Sequence, residues 1–226
     1  MESTLGPGFR VHALLFDMDG TLVNSIAVVE RTWTRFADRH GIDADKVLAA
    51  CHGRRTSETV ADFAPPGVSI AEETARIDAE ELADFDGIVE VEGATKLLKS
   101  IPAGRWAVVT SADRNLANLR MAAAGLPLPQ VMVTAEDVMI GKPAPDGYLA
   151  AAEALGVTPA NCLVFEDAPA GIQAGNAAGA KVIAVATTLE EQDLEDQFWI
   201  RNFTSLRVGL AADGLLHVAS ARQITL

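Results

Sequence analysis

Asp17 and Asp19 close an apolar run in the stretch "HALLFDMDGTLVNS", residues 12–25. Alternate residues of an extended chain point to the same side, so both carboxylates face one way. Gly20 allows a sharp turn and close approach to a ligand, and Thr21 can satisfy the amides of a turn or helix start. Taken alone, the stretch also fits a capped turn whose acids face water. Three other segments end in reactive groups. "VVTS" (108–111) ends in Thr110 and Ser111, "VFED" (164–167) ends in Glu166 and Asp167, and "GKPAPD" (141–146) holds Lys142 between Gly141 and Pro143. A lone lysine is mostly solvated, and an acidic pair caps a helix as readily as it binds a metal. The set differs from its parts. Clustered carboxylates repel unless a cation lies among them, and oxygen-only donors suit Mg²⁺. A lysine and a hydroxyl beside that cation make a cradle for phosphate.

These residues need a scaffold that brings them to one rim. Short, continuous apolar runs at Val11–Phe16, Trp106–Thr110, Val131–Thr134, Cys162–Phe165 and Val182–Val185 read as parallel strands covered on both faces. Helical patterns lie between them at Glu92–Lys99, Asn115–Ala124, Pro145–Leu155 and Ala170–Ala178, the last three ending at Gly125, Gly156 and Gly179. The alternation predicts a doubly wound, Rossmann-like α/β sheet. Ligands of such sheets bind at the carboxyl edge of the strands, where the acids, Thr110 and Ser111 fall.

Residues 26–91 break the alternation. Ile26, Val29, Trp33, Phe36 and Ala37 fall at helical spacing up to Gly41, and helical pieces follow at Asp43–Ala50, Thr56–Phe63 and Ser69–Phe85. No strand is evident there. The expected organisation is a core of 1–25 and 92–226 with a helical insertion at 26–91. In the tail, "LRVGLAADGLLHVAS" (206–220) places two apolar runs around Asp213-Gly214, a β-hairpin signal, with His217 a surface strand residue.

The chain has 226 residues, 49 % hydrophobic, enough for a sizeable core. Its net charge of −13, without a Lys/Arg cluster, argues against nucleic acid as a partner. No apolar run reaches membrane-spanning length, and "MESTLGPGFR" lacks the apolar centre of a signal peptide. Cys51 and Cys162 have no metal-ligand spacing and read as free thiols of a reducing cytoplasm. A monomer is expected.

With "FDMDGTL", "VVTS", "GKPAPDGYL" and "FEDAPAGIQAGNAAG" in this order along nearly the whole chain, the sequence resembles the haloacid dehalogenase superfamily phosphatases with a small helical cap. "ERTW", "HGRRTSETVADFAP" and "VTAEDV" further resemble bacterial sugar phosphatases and the yeast-type glycerol-3-phosphate and 2-deoxyglucose-6-phosphate phosphatases. The resemblance implies an Mg²⁺-dependent phosphatase of small sugar or polyol phosphates. In it Asp17 is the nucleophile that becomes an aspartyl phosphate. Asp19 is the general acid and then the general base. Asp17, Asp167 and the Asp19 main-chain carbonyl hold Mg²⁺, with Glu166 a further ligand or an outer partner. Thr110, the Ser111 backbone and Lys142 hold the phosphoryl oxygens. The cap loop "CHGRRTSET" (51–59) is expected to choose the substrate. Gly53 lets it turn over the site, and His52, Arg54, Arg55 and Thr56 offer hydrogen bonds, with at least one arginine facing the cleft. Closure would hinge near Asn24–Ser25 and Glu90–Glu92.

Asn24 departs from the family, whose members usually carry Asp there, which bears on the hinge more than on catalysis. The rival reading is a phosphosugar mutase. Those relatives carry a histidine on the first cap helix, where this chain has Val29, which favours hydrolysis. Dehalogenases lack the counterpart of Asp19. A silent phosphate-binding protein is the remaining alternative, against which every motif residue is intact.

Overall fold

The computed structural model describes residues 8–194 and 197–220. Its elements run β1 (Phe9–Val11), β2 (Ala13–Phe16), β3 (Val23–Asn24), α1 (Ile26–His40), α2 (Ala44–Cys51), α3 (Thr56–Phe63), α4 (Ile70–Ala83), β4 (Val89–Glu90), α5 (Ala94–Ser100) and β5 (Trp106–Val109). There follow α6 (Arg114–Ala123), β6 (Val131–Val133), α7 (Asp146–Ala154), β7 (Cys162–Glu166), α8 (Pro169–Ala177), β8 (Lys181–Val185), β9 (Trp199–Ile200), β10 (Leu206–Leu210) and β11 (Leu216–Ser220).

Six strands form a parallel sheet in the order β6-β5-β2-β7-β8-β9. The central strands β2 and β7 are buried along their whole length, because helices cover both faces. Leu14 and Phe16 of β2 pack with Phe165, Met121 and Leu97 on one face, and Ala13 and Leu15 pack with Val164, Tyr148 and Ala151 on the other. The two-residue period of the strand thus feeds two separate cores. Phe16 and Phe165 lie in register on neighbouring strands and stack with ring centroids 4.9 Å apart. This stack fixes the two strands directly below Asp17, which follows β2, and Glu166, the last residue of β7.

The sheet agrees with the α/β reading, with three differences. The run Val11–Phe16 is not one strand. It bends at His12, whose N–H donates to the Asn161 carbonyl at 2.7 Å, and the preceding β1 pairs with β11 instead. The hairpin β10–β11 is present, and with β1 it makes a three-stranded antiparallel sheet. Strand β9 was not evident in the sequence because only two residues pair, Trp199 and Ile200.

Residues between β3 and β4 form a helical lobe with its own core of Trp33, Phe36, Val47, Val60 and Ile77. Helix α1 stops where Gly41 takes a left-handed φ of 64°, and Asp43 and Ser69 cap the amides of α2 and α4. The lobe joins the sheet through a two-residue antiparallel ribbon, Val23–Asn24 against Val89–Glu90. That ribbon escaped the sequence because strands so short carry no periodicity. Among the described residues no helix is long and apolar enough to cross a membrane.

Candidate active site

Strand β2 delivers Asp17 to the carboxyl edge of the sheet. The Asp17 N–H still donates to the Phe165 carbonyl at 3.0 Å, so the residue is held by the ladder although the strand has ended. The chain then turns tightly: the Leu22 and Val23 N–H groups donate to the Met18 carbonyl at 2.9 and 2.8 Å. Gly20 sits in this turn at φ +82°, and a Cβ there would lie 2.1 Å from Asp167 Oδ2. Glycine is required twice over, for the backbone conformation and for the space that Asp167 occupies. Thr21 Oγ1 donates to Asp167 Oδ1 at 3.0 Å. The hydroxyl expected to satisfy turn amides therefore orients a carboxylate.

Strand β7 delivers Glu166 and Asp167. Glu166 is fully buried. Its Oε1 accepts from Lys142 Nζ at 2.6 Å and from the Tyr148 hydroxyl at 2.8 Å, and its Oε2 accepts the N–H groups of Asp167 and Ala168. A Cβ on Gly171 would fall 1.7 Å from Glu166 Oε1, so the first turn of α8 makes room for this carboxylate only as glycine. Lys142 Nζ also donates to Asp17 Oδ1 at 2.5 Å and to the Val109 carbonyl at 3.2 Å. An ammonium has three N–H donors, and all three are engaged here.

One side-chain oxygen from each of Asp17, Glu166 and Asp167 lies within 4.8 Å of the others, all three residues buried. Burial first, and then the Glu166 charge, raise the Asp17 carboxyl well above its ordinary range. The same two causes bring Asp167 to about 7. Burial works against the Lys142 ammonium, but Asp17 and Glu166 outweigh it and hold its pKa above the usual value. Three buried carboxyls against one ammonium is the electrostatic situation that a bound divalent cation relieves, and the donor set is hard oxygen. The residues present therefore fit a small divalent cation.

Asp19 lies outside that trio by its side chain. Its Oδ1 accepts from the Ser25 hydroxyl at 2.6 Å, and its Oδ2 lies 3.0 Å from Arg120 Nη1. Ser25 occupies the N-cap position of α1 but gives its hydroxyl to Asp19 and not to the helix amides. Thr110 is buried at the end of β5, and its Oγ1 accepts the Ala112 N–H at 3.1 Å.

The expected cap loop reaches this edge. Asp17, Asp19, His52, Arg54, Thr110 and Ser111 line one cleft, and Gly53, Thr56 and Val29 lie in the same wall. The Ser111 hydroxyl donates to the Gly53 carbonyl at 2.9 Å, so this side chain ties the lobe to the sheet. Burial lowers the His52 pKa, which favours a neutral ring in the cleft. Arg54 pairs with Asp62 at 2.8 Å while lining the cleft. Arg55 points elsewhere. Its guanidinium donates to the carbonyls of Ala135, Val138 and Met139, clasping the lobe onto the loop before Lys142.

Two residues of the cleft, Arg120 and Glu81, were not singled out in the sequence. Glu81 reads there as one acid of a charged helix. Arg120 had a signal: it falls four residues after Leu116 and three after Ala117, on the buried stripe of α6. A charge at an apolar position of an amphipathic helix asks for a partner.

Fold and site together define an α/β core with a buried carboxylate cluster at the carboxyl edge of a parallel sheet, beside a cleft that a helical lobe helps to line. Residues 11–179 match the haloacid dehalogenase-like hydrolases, and the chain belongs to that family. It is 46 % identical over 180 residues to hexitol phosphatase A of Escherichia coli (strain K12), covering 78 % of this chain and 83 % of the relative. It is 37 % identical over 215 residues to glycerol-1-phosphate phosphohydrolase 2 of Saccharomyces cerevisiae, covering 88 % and 86 %. Among solved structures, a hydrolase from Pseudomonas syringae superposes with a TM-score of 0.74 at 23 % identity, over 84 % of this chain and 92 % of that one. This last likeness speaks for the fold.

Proposed function

We propose that this protein is an Mg²⁺-dependent phosphatase that hydrolyses small sugar or polyol phosphates through an aspartyl phosphate on Asp17. One observation carries the reading: Asp17, held at the sheet edge, touches Lys142 and shares a 4.8 Å neighbourhood with Glu166 and Asp167. Supporting it, the similar proteins are named for a hexitol phosphatase and a glycerol-1-phosphate phosphohydrolase.

In the proposed reaction an Asp17 oxygen attacks phosphorus and the bond to the substrate oxygen breaks. Asp19 gives that oxygen a proton, so an alcohol leaves. Asp19 then takes a proton from water, which attacks the phosphorus, frees phosphate and restores the Asp17 carboxylate. Lys142, anchored by Glu166, lies beside the attacking group and lowers the cost of bringing a phosphate dianion to a carboxylate. Thr110 and the Ser111 backbone face the same cleft and hold phosphoryl oxygens. Asp17, Asp167 and the Asp19 carbonyl would hold the Mg²⁺, which supplies charge neutralisation for the phosphoryl group.

The helical lobe, residues 26–91, acts in this reading as a cap over the core of 1–25 and 92–226, with His52, Gly53 and Arg54 facing the leaving alcohol. Val29 gives the cleft an apolar wall where a mutase would place a proton carrier, which supports hydrolysis. Both thiols are buried, and burial raises Cys51 to about 12 and Cys162 to about 11. Unreactive free thiols fit the cytoplasm as the site of action, and a monomer is the proposed state.

The test is phosphate release from a panel of hexitol, glycerol, hexose and nucleoside phosphates. Turnover should need Mg²⁺, stop in EDTA, return with added Mg²⁺ and favour the polyol and sugar esters. Turnover in chelator would remove the cation from the reading, and interconversion of glucose 1- and 6-phosphate with little phosphate freed would reverse the choice against a mutase.

A further inference from the structure

Arg120 is a cation of the cleft that the mechanism above leaves unused. It is 3 % exposed. Its Nη1 lies 3.0 Å from Asp19 Oδ2 and its Nη2 donates to Glu81 Oε1 at 3.1 Å. Its Nε is buried with no hydrogen-bond partner, so the two terminal nitrogens are what hold the guanidinium. The two carboxylates come from different parts of the fold. Asp19 belongs to the turn after β2 in the core, and Glu81 to α4 in the helical lobe. A single rigid group therefore touches both sides of the cleft at once.

The geometry of the group makes this more than an ion pair. A guanidinium is a planar fork whose N–H directions are fixed relative to one another. Displacing Glu81 tilts the plane, and the tilt reaches Asp19 through Nη1. The other Asp19 oxygen is held by Ser25, the residue immediately before α1, so both partners of this carboxyl respond to how the lobe sits.

We propose that Arg120 is a positioning residue for Asp19, and that Glu81 is the contact through which the helical lobe sets that position, so that lobe seating and alignment of the Asp19 carboxyl on the leaving oxygen are one event. The proposal rests on the reading of Asp19 as proton donor to the leaving alcohol. A pair that only holds the lobe down would affect every substrate alike. A pair that aligns the proton donor matters most where the leaving group needs a proton.

The experiment measures kcat and KM of Glu81→Gln, Arg120→Lys and the double variant with Mg²⁺ present. Two substrates are used: the best polyol phosphate of the panel, and p-nitrophenyl phosphate, whose leaving group needs little protonation. Each single variant should lower kcat/KM on the polyol phosphate, which reports the step in which the alcohol leaves, about 10- to 100-fold, the scale of a misplaced catalytic group. It should lower kcat/KM on p-nitrophenyl phosphate by a clearly smaller factor. The double variant should be no slower than Arg120→Lys alone, because Glu81 acts through the arginine. Equal losses of kcat/KM on both substrates, or additive losses, would overturn the proposal. Melting curves establish which variants are folded. If Arg120→Lys is not, Glu81→Gln, which keeps the shape and one acceptor, decides by the same substrate split. A wild type active on neither substrate sinks the phosphatase reading and this coupling with it, whereas an active wild type with unaffected variants sinks the coupling alone.

Discussion

Lys142 Nζ lies 2.5 Å from Asp17 Oδ1, joining residues 125 positions apart in the chain. The lysine stands on a loop and the aspartate directly follows the central strand, and neither is exposed beyond 5 % at its side chain. Removing the ammonium leaves Asp17 and Glu166 facing each other with no counter-charge. Lys142→Met should therefore lose at least about 10³-fold in kcat, the range for disabling a central catalytic group. It should also destabilise the fold by about 3–5 kcal/mol, as expected when one partner of a buried pair is deleted. Phosphate release and denaturant midpoints check both. Near-normal turnover would separate Lys142 from the chemistry.

The two aspartates should fail in different ways. Asp17→Asn keeps the shape and removes the nucleophile, so turnover should fall at least about 10³-fold on every ester. Asp19→Asn should be severe for alkyl phosphates and milder for p-nitrophenyl phosphate. The ratio of the two substrates' kcat/KM values in each variant, which reports the step in which the leaving group departs, is the readout. An equal Asp19→Asn defect on both would argue against its acid role.

Arg54 and Arg55 are neighbours with opposite surroundings. Arg54 lines the cleft, and Arg55 holds three core carbonyls. Arg54→Ala should change the ratio of kcat/KM between a polyol phosphate and p-nitrophenyl phosphate by about tenfold, the worth of one charge-assisted hydrogen bond. Arg55→Ala should lower both efficiencies together and lower the melting temperature, since it frees the lobe from the loop before Lys142. The opposite pattern would exchange their roles.

Cation binding is measurable without turnover. A ligand that binds only the folded chain stabilises it by about 2.7 kcal/mol at a hundred times its Kd. Added Mg²⁺ should raise the melting temperature of the wild type, and Asp167→Ala should abolish the rise. A rise that persists in Asp167→Ala would place the cation elsewhere.

Asp84 takes two hydrogen bonds from Arg31, at 3.0 and 2.8 Å, and lies 3.6 Å from Arg35. The Arg31 hydrogen bond holds its carboxyl down at about 2, from an ordinary 3.8. A depressed carboxylate stabilises the fold above its unfolded pKa and loses that effect as pH falls through the folded one. At pH 7, Asp84→Asn should melt roughly 1–3 °C below the wild type, a modest effect because the arginine is partly solvated. The gap should begin to close below about pH 4 and vanish only below pH 2. A gap independent of pH would assign the loss to shape and not to charge.

Residues whose signal is local were readable in the sequence. The apolar runs that became β2, β5 and β7 are continuous because both faces are covered, and each ends at a residue of the site. Helix α3 was read at its observed bounds because Thr56 and the following apolar spacing mark it. What escaped is what depends on distant partners. The bend at His12 exists because residues 9–11 find β11, some two hundred positions away. Thr21 turned from amides to Asp167 because β7 sets that carboxylate beside it. Arg120 and Glu81 become a site only when α6 and α4 meet. Arg55 resembled Arg54 in sequence, and only the neighbouring core loop separates them.

Strand β2 has a temporal consequence. On a ribosome it emerges well before its two sheet neighbours, β5 and β7, which begin only at Trp106 and Cys162. The helical lobe lies between, contiguous and with its own apolar centre, so its contacts are local while those of β2 carry large loop-closure entropy. The lobe can condense while Asp17 still hangs on an unpaired strand. A nascent chain arrested before residue 162 lacks Glu166 and Asp167 altogether, so in the proposed reading hydrolysis waits for β7, long after the lobe has been made.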